Sequence, residues 1–252
     1  MPDSKLNHTH LMQQIIDYWD DRAQGFAQTR EAELSSPVRM RWLAELVPLL
    51  DKSRPMDILD AGTGTGFFTV LTAALGHSVT GIDLSPKMID QARHTARHHS
   101  VKANFAVMDA QNPVFSPESF DLIITRNLTW TLPDAQDAYA NWFRLLRSGG
   151  KLVNFDADYG EVSFSQLTES LEQKGVVNAH RGLSKTSLTT CDRIKDELLI
   201  SSQRRPLWDQ KTLESIGYID IKIDTELSDR IYCEKNETFN PVRMFRIEAS
   251  KG

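Results

Sequence analysis

The chain contains 252 residues, of which 40% are hydrophobic and 25% are charged, proportions that are ordinary for a globular protein. This length suits one large domain with additions, or two small domains. The formal net charge of −5 leaves no basic footprint for DNA or RNA, so a nucleic-acid partner is not expected.

Neither the first residues nor the apolar runs indicate export or a membrane span. The N-terminal sequence lacks a basic segment followed by an apolar one, which argues against a signal peptide. The apolar runs are far shorter than the ~20 residues of a membrane span. The two cysteines, Cys191 and Cys233, are too few and too far apart for a disulfide scaffold, so we expect reduced thiols. The sequence therefore predicts a soluble, cytoplasmic protein without a membrane partner.

Helices and strands are predicted to alternate through the first part of the chain. Amphipathic helices are expected over residues 9–30 and from Pro37 to about Leu50. A later helix, which begins at Pro133, is predicted to end at Gly149–Gly150, a common helix terminator. Short apolar strands are predicted over residues 56–60, 78–83, 104–108, 120–125 and 151–155. This alternation predicts a parallel sheet with helices on both faces.

The alternation then breaks. Residues 157–206 are polar, with helical patches but no clear strand. Asp209 is expected to cap a helix that ends at Gly217. Two consecutive strands, over residues 218–224 and 242–247, suggest a terminal antiparallel pair.

The most informative stretch follows the first predicted strand. Asp60 ends that strand, and Gly62, Gly64 and Gly66 then alternate with small residues before a helix begins. Strand, glycine loop and helix N-terminus together form a place where a nucleotide-like ligand lies against bare backbone. The dinucleotide fingerprint G-x-G-x-x-G does not fit, because the third glycine comes one position early and Phe67 stands in its place.

Polar residues also follow the other predicted strands. Asp83, Asp109, Asn127 and Asp156 each come where a strand ends, and ligands of open α/β sheets bind beyond those carboxyl ends. Asp83 lies 23 residues beyond Asp60, about where an acid receives ribose hydroxyls in such sheets. The sequence thus predicts a nucleotide-type cofactor at this edge of the sheet.

The alternation Asp60-x-Gly62-x-Gly64-x-Gly66 resembles motif I of the class I S-adenosylmethionine-dependent methyltransferases. In that family the glycine loop passes under the amino-acid end of the cofactor. The sequence that begins at Asp83 resembles the second motif, and the sequence around Asp109 resembles the third. Residues 121–127 and 146–152 resemble the fourth strand and the turn into the fifth, so the resemblance covers residues 40–156 and the terminal strands also fit.

This resemblance implies the fold and the order of its parts. We expect an α/β, Rossmann-like, doubly wound and mostly parallel seven-stranded sheet with an antiparallel C-terminal strand, helices on both faces and a helical lid. Within one domain, residues 1–50 would form the lid and residues 51–156 the cofactor-binding core. Residues 157–206 would be an insert over the substrate pocket, and residues 207–252 the end of the core sheet.

The family's motifs imply which residues meet S-adenosylmethionine. In the second motif the acid binds both ribose hydroxyls and apolar residues flank the adenine, and in the third an acid and the next amide meet the adenine edge. Tyr18 is included because residues 18–23 resemble a helical lid segment of small-molecule methylases related to quinone-biosynthesis enzymes. The expected cofactor-binding residues are Tyr18, Asp60, Ala61, Gly62, Thr63, Gly64, Gly66, Asp83, Leu84, Met88, Asp109, Ala110 and Asn127.

Candidates for the acceptor pocket lie on the first helix and after the fourth and fifth strands. Asn127 stands where amino-methylating families have an Asn-Pro-Pro-aromatic motif, but both prolines are absent here, so an amine-binding role is not inferred. The pocket candidates are Trp19, Arg22, Trp130, Asp156, Asp158 and Tyr159, with packing or capping as the alternative for the last four. In residues 157–206, Arg181, Arg193, Arg204 and Arg205 are either contacts for an anionic substrate or solvated.

Three histidines require separate consideration as metal ligands. His94 and His98 are four residues apart on a predicted helix, a spacing that allows metal binding. The sequence offers no convincing carboxylate or cysteine partner for them or for His99, and they lie away from the strand ends. We therefore predict an exposed helix face and no metal site.

The resemblance implies an enzyme that moves the methyl group of S-adenosylmethionine to a small molecule by in-line displacement. Such a reaction needs proximity and exclusion of water, and a general base only where the acceptor must lose a proton. No catalytic residue is assigned. Two alternatives stay open, a nicotinamide-dependent oxidoreductase on a similar sheet and a non-catalytic cofactor-binding regulator. The acceptor atom is also open, and both a monomer and a homodimer are compatible with the sequence.

Overall fold

A seven-stranded sheet forms the centre of the computed structural model, which describes residues 2–179 and 183–252. Arg181, one of the considered anion contacts, lies outside these residues. The strands in spatial order are β3, β2, β1, β4, β5, β7 and β6. Their bounds are β1 Asp57–Ala61, β2 Ser78–Asp83, β3 Asn104–Val107, β4 Phe120–Arg126, β5 Leu146–Ala157, β6 Tyr218–Asp224 and β7 Met244–Lys251.

The sheet is parallel except for its C-terminal strand. β1 pairs in parallel with β2 and β4, β2 with β3, and β4 with β5. β7 lies between β5 and β6 and is antiparallel to both, which confirms the predicted sheet and its terminal antiparallel pair. The chain order reverses between β1 and β4, and this switch point leaves a crevice beyond their carboxyl ends.

Helices cover both faces of the sheet. The described residues form α1 Pro2–Leu34, α2 Val38–Leu46, α3 Phe67–Ala74, α4 Pro86–His98, α5 Ala135–Leu145, α6 Phe164–Gln173, α7 Lys185–Glu197, α8 Leu207–Ile216 and α9 Leu227–Ile231. The first helix is longer at both ends than its predicted range of 9–30. It packs against α4 beside the sheet and against α7 from the polar segment 157–206. None of these helices combines the length and apolar character needed to cross a bilayer.

Two predicted helix ends are wrong. α5 ends at Leu145 and β5 begins at once, so Gly149 and Gly150 lie inside the first part of the strand, where Gly149 has a positive φ of 75°. Helix α8 begins after Pro206, and Asp209 lies in its first turn instead of capping it. The side chain of Asp209 is fully buried and accepts hydrogen bonds from Arg205, a partner that local sequence rules do not anticipate.

The N-terminal helices are fastened to the core by an aromatic cluster. Trp42 of α2 is fully buried, and its ring lies 5.2 Å from Phe68 of α3 and 5.4 Å from Phe155 of β5 in edge-on contacts. Such pairs add about 0.5–1.5 kcal/mol each beyond the burial of their area. This packing fixes where α1 enters and holds it beside the carboxyl ends of the strands.

Candidate active site

A large cavity lies between α1 and the carboxyl ends of the central strands. It has about 1550 Å³ of empty space, including its open mouth. Helix α1 forms one wall, the loops after β1 to β5 form the floor, and α6 and α7 contribute to the roof. The predicted site residues that line it are Tyr18, Trp19, Arg22, Asp60, Gly62, Thr63, Gly64, Asp83, Leu84, Met88, Asp109, Ala110, Asn127, Trp130 and Tyr159.

Four predicted site residues do not line the cavity. Ala61 is the buried end of β1, and Gly66 precedes α3, where an added Cβ would lie 3.2 Å from the Cβ of Ala92. Asp156 is fully buried in an ion pair with Arg205. Asp158 accepts hydrogen bonds from the backbone amides of Gly160 and Arg205. Gly66 therefore allows close helix packing, and the two acids organise the chain after β5 instead of facing an acceptor.

Asp60 holds the glycine loop in place. One of its carboxylate oxygens accepts hydrogen bonds from the Thr63 hydroxyl at 2.7 Å, the Thr69 amide at 2.9 Å and the Thr69 hydroxyl at 2.8 Å. Burial raises the pKa of Asp60 above its usual value, although these hydrogen bonds oppose the shift. The acid at the end of β1 thus joins the loop to the start of α3.

The glycine loop brings bare backbone to the cavity wall. Gly62 and Gly64 have φ values of 67° and 53°, in the left-handed region that favours glycine. A Cβ on Gly64 would lie 3.2 Å from the Phe26 ring on α1, so it would occupy space between the loop and the helix. A ligand can approach the main chain here only because that Cβ is missing, and this fits the glycine-loop contact of S-adenosylmethionine.

Asp83 presents a partly satisfied carboxyl group beside this loop. Its two oxygens accept hydrogen bonds from the backbone amides of Gly64 at 2.9 Å and Ser85 at 3.0 Å. Each carboxylate oxygen has a second lone pair, so the group can also accept hydroxyl donors from a ligand. Burial raises the pKa of Asp83 to about 6, and the nearby carboxylates of Asp60 and Asp20 act in the same direction.

The raised pKa of Asp83 predicts a pH-dependent cofactor affinity. The carboxylate is present above about pH 6 and is protonated below it, so acidification removes an acceptor for hydroxyl donors. We expect S-adenosylmethionine to bind about tenfold more weakly at about pH 5 than at pH 8, since a hydrogen bond to a charged group is worth about 1.5–3 kcal/mol. Calorimetry across this range, with Asp83→Asn as comparison, measures the effect. An Asp83→Asn profile as steep as that of the wild type would contradict it.

A second charged cluster at the cavity was not predicted from the sequence. Arg126, at the end of β4, donates two hydrogen bonds of 2.8 Å to Glu33 of α1 and one of 2.8 Å to the Tyr232 hydroxyl. Arg30 donates to the same Glu33 carboxylate at 2.6 Å. Burial acts to raise the pKa of Glu33, but the two guanidiniums lower it below its usual value. Two cations therefore share one anion, and the excess positive charge lies at the wall that Arg30 and Arg126 line.

Aromatic rings form another wall of the cavity. Trp130 lies 4.7 Å from Tyr159 and 5.4 Å from Phe164, with ring planes inclined by 46° and 42°. The Tyr159 hydroxyl donates a hydrogen bond to the Asn127 side chain at 3.1 Å. This apolar surface with a polar edge is suited to a small ring-containing ligand.

Outside the cavity, the histidines of α4 have a partner that the sequence did not reveal. Glu31 of α1 lies 3.1 Å from Nε2 of His99 and 3.8 Å from Nε2 of His98. The prediction that no carboxylate pairs with these histidines is therefore wrong, whereas His94 is not part of the cluster. The contact helps to join α1 to α4.

Comparison with known proteins finds a methyltransferase domain in the chain. Residues 58–150 match a family model described as a methyltransferase domain. A ubiquinone biosynthesis O-methyltransferase of Coxiella burnetii (strain RSA 493 / Nine Mile phase I) is 29% identical over 179 residues, which are 69% of this chain and 73% of that protein. Together these similarities support a class I S-adenosylmethionine-dependent methyltransferase whose methyltransferase domain spans residues 58–150. Aklanonic acid methyltransferase DauC of a Streptomyces species (strain C5) is 36% identical over 112 residues, which are 42% of this chain and 51% of that protein.

Solved structures agree with this assignment at the level of the fold. A methyltransferase of Methanococcus maripaludis superposes with a TM-score of 0.62 at 17% identity, over 92% of this chain and 93% of that one. Phosphoethanolamine N-methyltransferase 2 of Haemonchus contortus, solved with S-adenosylmethionine, gives a TM-score of 0.57 at 20% identity. The match covers 83% of this methyltransferase and 51% of the Haemonchus chain. The enzyme uses S-adenosylmethionine, and neither the oxidoreductase nor the regulatory alternative is favoured.

Proposed function

We propose that the methyl acceptor is a small molecule bound against the aromatic wall formed by Trp130, Tyr159 and Phe164. The observation that carries this proposal is the cover over the cavity, where α1 lies opposite the strand ends and α7 packs beside it. A covered cavity of this kind suits a compact acceptor better than an extended polymer. The names of the Coxiella and Streptomyces relatives also denote small-molecule acceptors.

We further propose roles for the residues that face the cofactor. The backbone of Gly62 and Gly64 would lie under its amino-acid end, and Asp83 would accept its ribose hydroxyls. Asp109 and the amide of Ala110 would meet the adenine edge. Both residues line the cavity, as do Leu84 and Met88, which are predicted to flank the adenine. When bound, S-adenosylmethionine supplies an electrophilic methyl group on a sulfonium.

Arg30 is proposed as a contact for the cofactor carboxylate. Among the described residues its only hydrogen-bond partner is Glu33, bound through Nη1, so Nε and Nη2 are available to a ligand. The Arg30 guanidinium lies 4.4 Å from the Phe26 ring, and Phe26 is the side chain that faces Gly64. A guanidinium fork at this place matches a carboxylate at the glycine loop.

The protein's part in catalysis would be binding, alignment and exclusion of water. Helix α1 and residues of α7 enclose the cavity, which favours a dry site where the acceptor and the methyl group are held in line.

We also propose that the chain is divided into a lid of residues 1–50, a core of 51–156, a covering insert of 157–206 and a closing part of 207–252. A cytoplasmic location is proposed on the basis of the two free thiols, Cys191 and Cys233.

Two measurements test the proposed function. Calorimetry should show binding of S-adenosylmethionine and S-adenosylhomocysteine and none of NADH. Incubation of the enzyme with S-adenosylmethionine labelled in its methyl group and a metabolite extract should transfer the label to a compound that passes a small-pore filter. Transfer of the label only to protein or nucleic acid would contradict a small-molecule acceptor.

A further inference from the structure

The acceptor side of the cavity contains a cation without an anionic partner. Arg22 of α1 lines the cavity and donates a hydrogen bond through Nη1 to the Tyr18 hydroxyl at 2.8 Å. Its Nε is buried and has no hydrogen-bond partner among the described residues, and none of their carboxylates forms an ion pair with it. A guanidinium that lines a cavity and has no carboxylate partner among the described residues points to an anionic group on the ligand.

Arg22 lies at the covered end of the cavity, near α7. The Tyr18 hydroxyl that it contacts interacts electrostatically with the Cys191 thiol of α7, and both Cys191 and Leu188 of that helix line the cavity. Most of the proposed cofactor contacts, in contrast, come from the loops after β1 to β3, and Arg30 lies further along α1 beside the Phe26 ring that faces the glycine loop. Arg22 is therefore placed to meet an acceptor instead of the cofactor.

No general base of ordinary pKa lines this end of the cavity among the described residues. Within residues 2–179 and 183–252, the carboxylates that line the cavity are Asp60, Asp83 and Asp109, which belong to the cofactor side, and no histidine of these ranges lines it. Burial raises the pKa of Cys191 to about 11 and that of the Tyr18 and Tyr159 hydroxyls above their usual value. These groups therefore stay protonated at neutral pH and cannot take a proton from an acceptor.

We propose that the acceptor is a planar aromatic oxyanion, a phenolate or a carboxylate, that binds already deprotonated with its negative charge on Arg22 and its ring against Trp130, Tyr159 and Phe164. The inference rests on the proposed small-molecule function and names the substrate class for the same site. The guanidinium without a carboxylate partner, the missing base and the aromatic wall together point to this chemistry.

With such an acceptor, the bonds and charges of the methyl transfer balance without a proton transfer. A lone pair of the acceptor oxygen forms the new O–C bond while the C–S bond of the cofactor breaks, and the electrons of that bond stay on sulfur. The products are a neutral methyl ether or ester and neutral sulfur, so an anion and a sulfonium cancel their charges. Charge cancellation is favoured in a site that water does not enter.

Matched probes test the inference on the intact protein saturated with S-adenosylhomocysteine. Calorimetry compares 2-naphthoate with uncharged 2-naphthamide, and 2,4-dinitrophenolate with 2,4-dinitroaniline, so that the two pairs distinguish a carboxylate from a phenolate. We expect at least one anion to bind about tenfold or more tightly than its neutral partner, the value of one charged hydrogen bond. Arg22→Gln should remove this preference, whereas Arg193→Gln on the exposed side of α7 should keep it.

The outcomes separate this inference from the proposed function. Equal or unmeasurable binding of both members of each pair to the wild type would overturn the inference, and this comparison does not require any variant to fold. A preference that survives in Arg22→Gln would also overturn it, as would loss of S-adenosylhomocysteine binding in that variant, because Arg22 would then serve the cofactor. Failure of the wild type to bind S-adenosylhomocysteine at all would instead contradict the methyltransferase site itself.

Discussion

Replacing Gly64 with valine is expected to abolish measurable binding of S-adenosylmethionine. Gly64 has a φ of 53°, and a left-handed conformation costs an L-residue about 1–2 kcal/mol, more for a β-branched side chain. The new Cβ would lie 3.2 Å from the Phe26 ring and would fill the space in which the ligand approaches the backbone. The strain lowers stability, and the obstruction predicts an affinity loss of roughly a hundredfold or more. Calorimetry with S-adenosylmethionine measures it.

Gly76→Val provides the matched control for backbone strain. Gly76 also has a positive φ, of 92°, but a Cβ there would meet no heavy atom within 4 Å. Both variants therefore carry the penalty of a left-handed valine, and only Gly64→Val obstructs the cavity. We expect Gly76→Val to lose stability and to keep the wild-type affinity. Near wild-type affinity in Gly64→Val, or equal losses in both variants, would show that the loop does not contact the cofactor.

The glycine loop and its acids could be predicted because their signals are local in sequence. Gly62, Gly64 and Asp60 lie within one strand-loop-helix unit, and the carboxyl ends of parallel strands meet at one edge whatever their order along the chain. That rule brought Asp83 and Asp109 to the same cavity. The sheet could likewise be inferred from the alternation of strands and helices and from the terminal pair.

The charged contacts of α1 could not be predicted because they join distant elements. Glu33 is a helix residue with an ordinary (i, i+3) partner in Arg30, and only the fold shows that Arg126, at the end of β4, shares its carboxylate. The contact between Glu31 and His99 depends in the same way on the packing of α1 against α4. Neither pairing follows a sequence spacing, so a reader of the sequence sees only surface charges.

Residues 157–206 show the same difficulty most clearly. The segment is polar, and Arg205 near its end was considered either a solvated residue or a contact for an anionic substrate. The structure instead buries its guanidinium almost completely between Asp156 and Asp209. Composition describes the segment as a whole, and it cannot show that one of several arginines enters the core.

Replacing Arg205 with glutamine is expected to destabilise the protein by about 3–5 kcal/mol, the cost of leaving buried charges without their partner. The guanidinium donates two hydrogen bonds to Asp209, at 2.9 and 2.7 Å, and one to Asp156 at 3.1 Å. Urea unfolding measures the loss, with Arg204→Gln as the control because the neighbouring Arg204 is exposed. Equal unfolding midpoints for the two variants would contradict the structural role of the buried cluster.

The loss of stability caused by Arg205→Gln should also become smaller as the pH falls. Burial raises the pKa of Asp156 above its usual value even though Arg205 opposes this shift, so removal of the guanidinium raises it further. In the variant the folded protein then takes up a proton that the unfolded chain at the same pH lacks, and stability rises as the pH falls towards the ordinary pKa of an aspartate. A deficit that stayed constant from pH 7 to about pH 5 would contradict this explanation.

The Arg205 substitution should affect acceptor binding more than cofactor binding. Asp156 accepts hydrogen bonds from the backbone amide of Trp130 at 3.1 Å and from the Thr129 hydroxyl, and Arg205 also donates to that hydroxyl at 2.6 Å. The cluster thus holds the turn that carries the Trp130 ring, whereas the glycine loop is held separately by Asp60. At temperatures where Arg205→Gln is still folded, we expect wild-type affinity for S-adenosylhomocysteine and weakened binding of the aromatic probe anions. An equal loss of both ligands would show that the cluster supports the whole cavity and not the acceptor wall alone.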